Sequence, residues 1–134
     1  MIIDDDPDDR DIFFEIVNQI APDYACLWGK DGVDGLLKLS ELKILPSYIF
    51  LDLNMPKMNG KQCLAELKQH NKYKDIPVII YSTSRQESDV LETKRLGANY
   101  YMTKPNLFTE LREAITGLLV DQQRGTEHLQ KLNY

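Results

Sequence analysis

Short apolar runs alternate five times with segments of helical periodicity, and that alternation constrains the fold of this chain more than any other feature. The runs are Met1-Ile2-Ile3, Tyr24 to Trp28, Tyr48 to Leu51, Val78 to Tyr81 and Tyr100 to Met102. Continuous runs of strand formers, each closed by turn residues or an acid, read as strands covered on both faces. Between them, apolar residues return every three or four positions. Ile12, Phe13, Ile16, Val17 and Ile20 make one such stripe, and Leu36, Leu37 and Leu39 a second. Cys63, Leu64 and Leu67 make a third, Val90, Leu91 and Leu96 a fourth, and Phe108, Leu111, Ile115, Leu118 and Leu119 a fifth. Strand then helix, five times over, predicts a parallel α/β sheet with helices on both faces and right-handed crossovers.

The helix ends carry their own signals. Asp6 before Pro7 reads as an N-cap followed by proline in the first turn, with Asp8 and Asp9 at the positive end of the helix dipole. Ser84-x-x-Glu87 fits a capping box, Gly97 a C-cap and Asn106 the cap of the last helix. At 134 residues the chain is one domain, placed at residues 1–120, with a polar C-terminal extension at 121–134 that reads as more helix or a loose tail. No DNA-binding or catalytic output domain is expected after Val120. The first strand is short, as though upstream residues were missing or the strand clipped.

A net charge of -5 argues against nucleic acid as a partner, because phosphate backbones are gripped by clustered Lys and Arg. Protein partners are expected instead. Cys26 and Cys63 lack metal-ligand or disulfide spacing and read as core residues in a reducing compartment. With no signal peptide or membrane span in view, a cytoplasmic location is expected and no membrane partner.

Asp52 is the anomaly in the third strand. An unpaired carboxylate inside an apolar strand costs several kcal/mol, so Asp52 is expected at the strand's C-terminal edge, where open α/β sheets place their chemistry. In a parallel sheet the same edge gathers Asp4 and Asp5, Ser82, and Lys104 from the ends of other strands. Taken singly each has a plain explanation: Lys104 a solvated loop charge, Ser82 a turn hydroxyl, the acidic run a helix start. Together they form a constellation. Three converging carboxylates repel unless one is protonated or a divalent cation sits among them, and oxygen-only ligands point to Mg²⁺. Lys104 and the Ser82 hydroxyl would then neutralise a phosphoryl group arriving in line on Asp52, the central acid.

These residues carry a family resemblance. The acidic pair Asp4-Asp5, Leu51-Asp52-Leu53-Asn54-Met55-Pro56 with Met58 and Gly60, Ser82-Thr83, and Tyr101 followed by Lys104-Pro105 resemble the receiver domain of two-component response regulators, from about Ile2 to Leu119. The wording around Asp52, with Ser82-Thr83-Ser84 and Gly97-Ala98-Asn99, is similar to stand-alone receivers paired with phytochrome-type and other sensor kinases. The resemblance implies a flavodoxin-like, doubly wound, five-stranded sheet in the order 2-1-3-4-5. It implies that Asp52 is phosphorylated from a histidine kinase or phosphotransfer protein, making the chain a signalling switch that assists its own phosphorylation and dephosphorylation.

It further implies Mg²⁺ held by Asp5, Asp52 and the Asn54 backbone carbonyl, with Asp4 acting largely through water. Lys104 would contact the phosphoryl group, Ser82 would move to hydrogen-bond it, and Tyr101 would be the aromatic switch. The peptide before Pro105 is implied to be cis. A downstream protein would dock on the face of the fourth helix, fifth strand and fifth helix, and a second copy of the chain, as a homodimer, is a further candidate partner.

Other readings fit less well. Asp4, Asp6, Asp8 and Glu15 match positions of a calcium-binding loop, but Asp9 replaces its turn glycine and no helix precedes it. A small-molecule phosphatase with an Asp nucleophile generally carries a second Asp two residues on, where this chain has Asn54. A flavin-holding or phosphorylation-deficient module lacks support, since no phosphate-cradling loop follows the first strand and every residue for phosphorylation is present.

Overall fold

The computed structural model describes residues 1–119 and 130–131. Five strands and five helices alternate: β1 (Ile2–Ile3), α1 (Pro7–Ile20), β2 (Trp28–Gly29), α2 (Gly32–Ser40), β3 (Ile49–Leu51), α3 (Gly60–Gln69), β4 (Val78–Ser82), α4 (Glu87–Arg95), β5 (Tyr100–Thr103) and α5 (Phe108–Leu119). Strands β1 to β5 are parallel in the order 2-1-3-4-5, as expected. A sixth strand, β6 (Gln130–Lys131), pairs antiparallel with β5 at Tyr100 and Tyr101. Part of the expected C-terminal extension therefore joins the sheet. The rest of it lies outside the described residues.

The two-residue period of the strands divides the core. Ile3, Ile49, Leu51, Val78, Ile80 and Tyr101 face one layer with Leu39 of α2 and Cys63, Leu64 and Leu67 of α3. Their neighbours Ile2, Phe50, Ile79, Tyr81 and Met102 face the other, with Phe13, Ile16 and Val17 of α1 and Leu111, Ala114, Ile115 and Leu118 of α5. Both layers are buried, which is why β1, β3 and β4 read as unbroken apolar runs rather than alternating ones.

Local signals hold at α1, where the Asp6 side chain accepts from the Asp8 amide at 2.9 Å and Pro7 starts the helix. They fail at α4. Its N-cap is Gln86 without a side-chain cap bond, because the Ser84 hydroxyl turns instead to the Asp89 carboxylate inside the helix. The capping box belongs to α3, where the Asn59 and Gln62 side chains exchange bonds with each other's amides. Gly97, at φ 106°, follows the α4 cap residue Leu96 in the left-handed conformation. Among the stripe residues, Ile12, Leu37, Leu91 and Phe108 are exposed, since each helix needs only the residues pointing down at the sheet.

The second strand is two residues rather than five; just before it the Leu27 carbonyl still accepts from the Ile2 amide at 2.9 Å. The peptide before Pro105 is trans, the isomer X–Pro bonds intrinsically favour. Short as β1 is, it sits between β2 and β3, and its ends are tied on both sides. The Asp4 amide donates to Gly29 at 3.0 Å, and the Asp52 amide to Ile3 at 3.0 Å. Those two bonds fix the backbones that carry the acidic pair and the central acid.

Candidate functional site

The C-terminal edge of the sheet collects the expected residues. Asp4 follows β1, Asp52 follows β3, Ser82 ends β4 and Lys104 follows β5, its amide donating to the Ser82 carbonyl at 2.7 Å. Asp4, Asp5 and Asp52 each offer a carboxylate oxygen within 4.8 Å of the others. Asp4 and Asp52 are buried and Asp5 is exposed, so the triad opens to solvent on one side only.

Lys104 enters this cluster as its cation. Its Nζ lies 2.8 Å from Asp4 Oδ2, 2.7 Å from Asp9 Oδ2 and 3.8 Å from Asp52 Oδ2, and 5.2 Å from the centre of the Tyr81 ring. Burial alone would lower its pKa, but the bonds to Asp4 and Asp9 and the charge of Asp52 win and hold it above the ordinary lysine value. The acids respond the other way. Burial pushes Asp52 up to about 7; Lys104 opposes the shift, and the charges of Asp4 and Asp5 add to it. Asp4 is raised as well, again by burial, against the pull of Lys104.

One lysine does not balance three acids. Asp4 Oδ1 accepts from the Asp6 amide at 3.0 Å, and its buried Oδ2 lies 2.8 Å from the Lys104 ammonium that it shares with Asp9 and Asp52. Three carboxylates that offer only hard oxygen donors within 4.8 Å of one another, with one lysine beside them, are what a divalent cation satisfies, so the residues present fit Mg²⁺. His and Cys are absent from the cluster, which leaves zinc without its preferred ligands.

The loop bearing Asp52 is shaped by packing. The Asp52 side chain accepts from the next amide, Leu53, at 2.9 Å, and Gly60 donates to the Leu53 carbonyl at 2.9 Å. A Cβ on Gly60 would stand 2.1 Å from the Asp52 carbonyl oxygen and 2.6 Å from Leu53 Cα. Only glycine lets α3 begin that close to the acid. Asn54 is exposed in the same loop, and Lys57 turns it at φ 64°.

On the opposite flank, Tyr101 is buried and donates from its hydroxyl to the Ser84 carbonyl at 2.8 Å. Fully buried Ser82 accepts from the Ser84 amide at 3.2 Å. Lys61 of α3 reaches Asp89 and Glu92 of α4 at 2.7 Å each, and Asp89 holds Ser84. The loop after Ser82 is thus hydrogen-bonded to Tyr101 on one side and to α4 on the other.

Sequence reasoning missed two members of this arrangement. Asp9 reads as one more helix-start acid, and nothing local sets it apart, although its place in the first turn of α1 above the β1 edge could have nominated it. Gly60 was seen as part of a motif but not as a packing requirement. The calcium-loop match, already disfavoured by its missing glycine and entering helix, also fails in the fold, since Asp8 and Glu15 both lie within α1 rather than in a loop.

The comparisons with known proteins decide the family. The model of the response regulator receiver domain matches residues 1–116. This chain belongs to that family. It is 31% identical over 123 residues to the response regulator Rcp1 of a Synechocystis species, covering 88% of this chain and 84% of that one. It is 31% identical over 115 residues to the protein PilG of Pseudomonas aeruginosa, covering 86% and 82%. Among solved structures, the phosphorylated cyanobacterial phytochrome response regulator RcpA superposes with a TM-score of 0.80 at 29% identity, over 87% of each chain. The Mn²⁺-bound form of Rcp1 superposes at 0.77 with 30% identity, over 87% of this chain and 88% of that one. The receiver domain is accordingly a phospho-accepting regulator of two-component signalling, and receiver domains of this kind bind divalent cations. Among the described residues no helix is long and apolar enough to cross a membrane.

Proposed function

We propose that Asp52 is the phosphoryl acceptor of this receiver domain, taking its phosphoryl group from the phosphohistidine of a sensor kinase or phosphotransfer protein in the cytoplasm. The observation that carries this is the position of Asp52 at the sheet edge, in one cluster with Asp4 and Asp5 and 3.8 Å from a lysine. The carboxylate attacks phosphorus as the P–N bond to histidine breaks. Asp52 gains a P–O bond, and the imidazole nitrogen keeps the bonding pair.

Each neighbour has a task in that step. The Leu53 amide holds Asp52 Oδ1, which leaves Oδ2, the oxygen nearer Lys104, to meet the phosphoryl group. Lys104 favours the ionised nucleophile and offers its ammonium to the phosphoryl oxygens that gain charge. Ser82, one strand over, is the hydroxyl donor for another of those oxygens. Asp5, Asp52 and the Asn54 carbonyl would hold Mg²⁺, with Asp4 acting through water. When bound, the ion neutralises the carboxylates and the phosphoryl oxygens together.

Output follows from what Ser82 releases. A Ser82 drawn to the phosphoryl group must shift the loop that ends at Ser84, whose carbonyl Tyr101 holds, so Tyr101 and α4 report the change. Leu91 of α4, Leu107, and Phe108 at the start of α5 are exposed apolar residues suited to contact with a downstream protein or a second copy of the chain.

The test is phosphorylation by acetyl phosphate with and without Mg²⁺, read by intact mass. One phosphoryl group gained only with Mg²⁺, and lost in Asp52→Asn, is expected. Retained labelling in the variant would refute Asp52 as acceptor.

A further inference from the structure

The nearest acid to Lys104 is neither the acceptor nor one of the cation-binding triad. It is Asp9, at 2.7 Å, whose side chain is 28% exposed on the first turn of α1. A phosphoryl group on Asp52 requires Lys104 within hydrogen-bond distance, near 2.8 Å for a charged pair. At rest the ammonium is hydrogen-bonded to Asp9 and lies 3.8 Å from Asp52 Oδ2, so an oxygen of an arriving phosphoryl group meets a cation that already has a partner.

We propose that Asp9 is the resting counter-ion of Lys104, a competitor that Lys104 gives up when a phosphoryl group arrives on Asp52. The proposal rests on Asp52 being the acceptor. Two facts of geometry support it. Asp4 is fully buried and pinned by the Asp6 amide, so it cannot follow the lysine, whereas Asp9 is open to water and loses little when its partner leaves. The ammonium also has three protons, and exchanging Asp9 for a phosphoryl oxygen keeps its contact with Asp4 while turning it toward Asp52. Asp9 thereby competes with the incoming anion for one cation and repels it besides. The covalent step itself is unchanged: with acetyl phosphate the P–O bond to acetate breaks as the P–O bond to Asp52 forms, and acetate departs with the electron pair.

The experiment measures phosphorylation by acetyl phosphate in Mg²⁺, resolved into limiting rate and half-saturating donor concentration, for wild type, Asp9→Asn, Asp9→Glu and Asp11→Asn. Removing the competitor should lower the half-saturating concentration about two- to fivefold, the range that a partly exposed ion pair commands, with a smaller change in limiting rate. Asp9→Glu keeps the charge and the reach and should restore wild-type behaviour. Asp11, an exposed acid on the same helix, controls for net charge and should leave the constant where it was.

A higher half-saturating concentration in Asp9→Asn would overturn the proposal, because Asp9 would then hold Lys104 in its productive place. An unchanged constant, or an equal fall in Asp11→Asn, would overturn it too, leaving Asp9 a bystander or a mere charge. Wild type that takes no phosphoryl group at all would instead show the acceptor reading itself to be wrong.

Discussion

Asp52 should destabilise the very fold that positions it. Burial carries its pKa from 3.8 to about 7, so between those values the folded protein keeps a proton that the unfolded chain has already released. The contribution of Asp52 to folding stability is then fully present below about pH 4, falls as pH rises through the window, and levels off once Asp52 ionises in the folded state as well. A rise of about 3 units at 1.36 kcal/mol each sets a ceiling of about 4 kcal/mol on that loss. Water reaching the cluster past exposed Asp5 keeps the measured figure below the ceiling.

Asp52→Asn preserves the shape and removes the ionisation. In a chelating buffer at pH 8 the variant should be more stable than wild type by more than about 1 kcal/mol, against the usual destabilisation of about that size for a point substitution. Urea unfolding followed by circular dichroism from pH 4 to pH 8 measures it. The advantage should shrink toward zero at the acid end, and Mg²⁺ should erase it at pH 8 by binding the wild-type folded state preferentially. A variant no more stable than wild type at pH 8 without divalent ions would refute the reasoning, because the cluster's repulsion would then be relieved some other way.

Two further outcomes are expected. Gly60→Ala forces the start of α3 off the Asp52 carbonyl, which a Cβ would meet at 2.1 Å, so it should cost about 3 kcal/mol of stability or more and slow labelling of Asp52 by acetyl phosphate. Urea midpoints and intact mass test both, and a variant of wild-type stability would contradict the packing described. Tyr101→Phe removes the donor to the Ser84 carbonyl and should cost about 1 kcal/mol while leaving Asp52 phosphorylation intact. Loss of labelling there would place Tyr101 in the transfer step rather than in the response to it.

Much of this protein was legible in its sequence, for a physical reason. A parallel sheet buries both faces, so Val78 to Tyr81 and Tyr48 to Leu51 had to be continuous apolar runs, and a lone Asp52 closing one of them had to lie at the edge. Parallel strands share that edge, so Asp4, Asp5, Ser82 and Lys104 were bound to meet there from wherever they stood in the chain. Strand order and helix placement followed from the same pattern and the family it resembles.

Tertiary structure decided what depends on side chains meeting across elements. Ser84 and Glu87 fit a capping box by spacing, yet Asp89 wins the Ser84 hydroxyl because Lys61 of α3 stands ready to balance its charge. Gly97 was visible as a helix terminator, but only packing showed that Gly60 touches Asp52. The strand at Gln130–Lys131 has no local signature, because it is a strand only while β5 is beside it. Six acids lie in the first eleven residues before the α1 stripe begins, and in sequence they are alike. The turn of α1 over the β1 edge brings Asp9 to Lys104, and the burial of Asp4 and Asp52 gives those two acids their raised affinity for a proton. Sequence determines which charges arrive at the edge, because strands that alternate with crossover helices must run parallel and end on one side; only three-dimensional packing assigns their partners, because distance and desolvation set the strength of each pair.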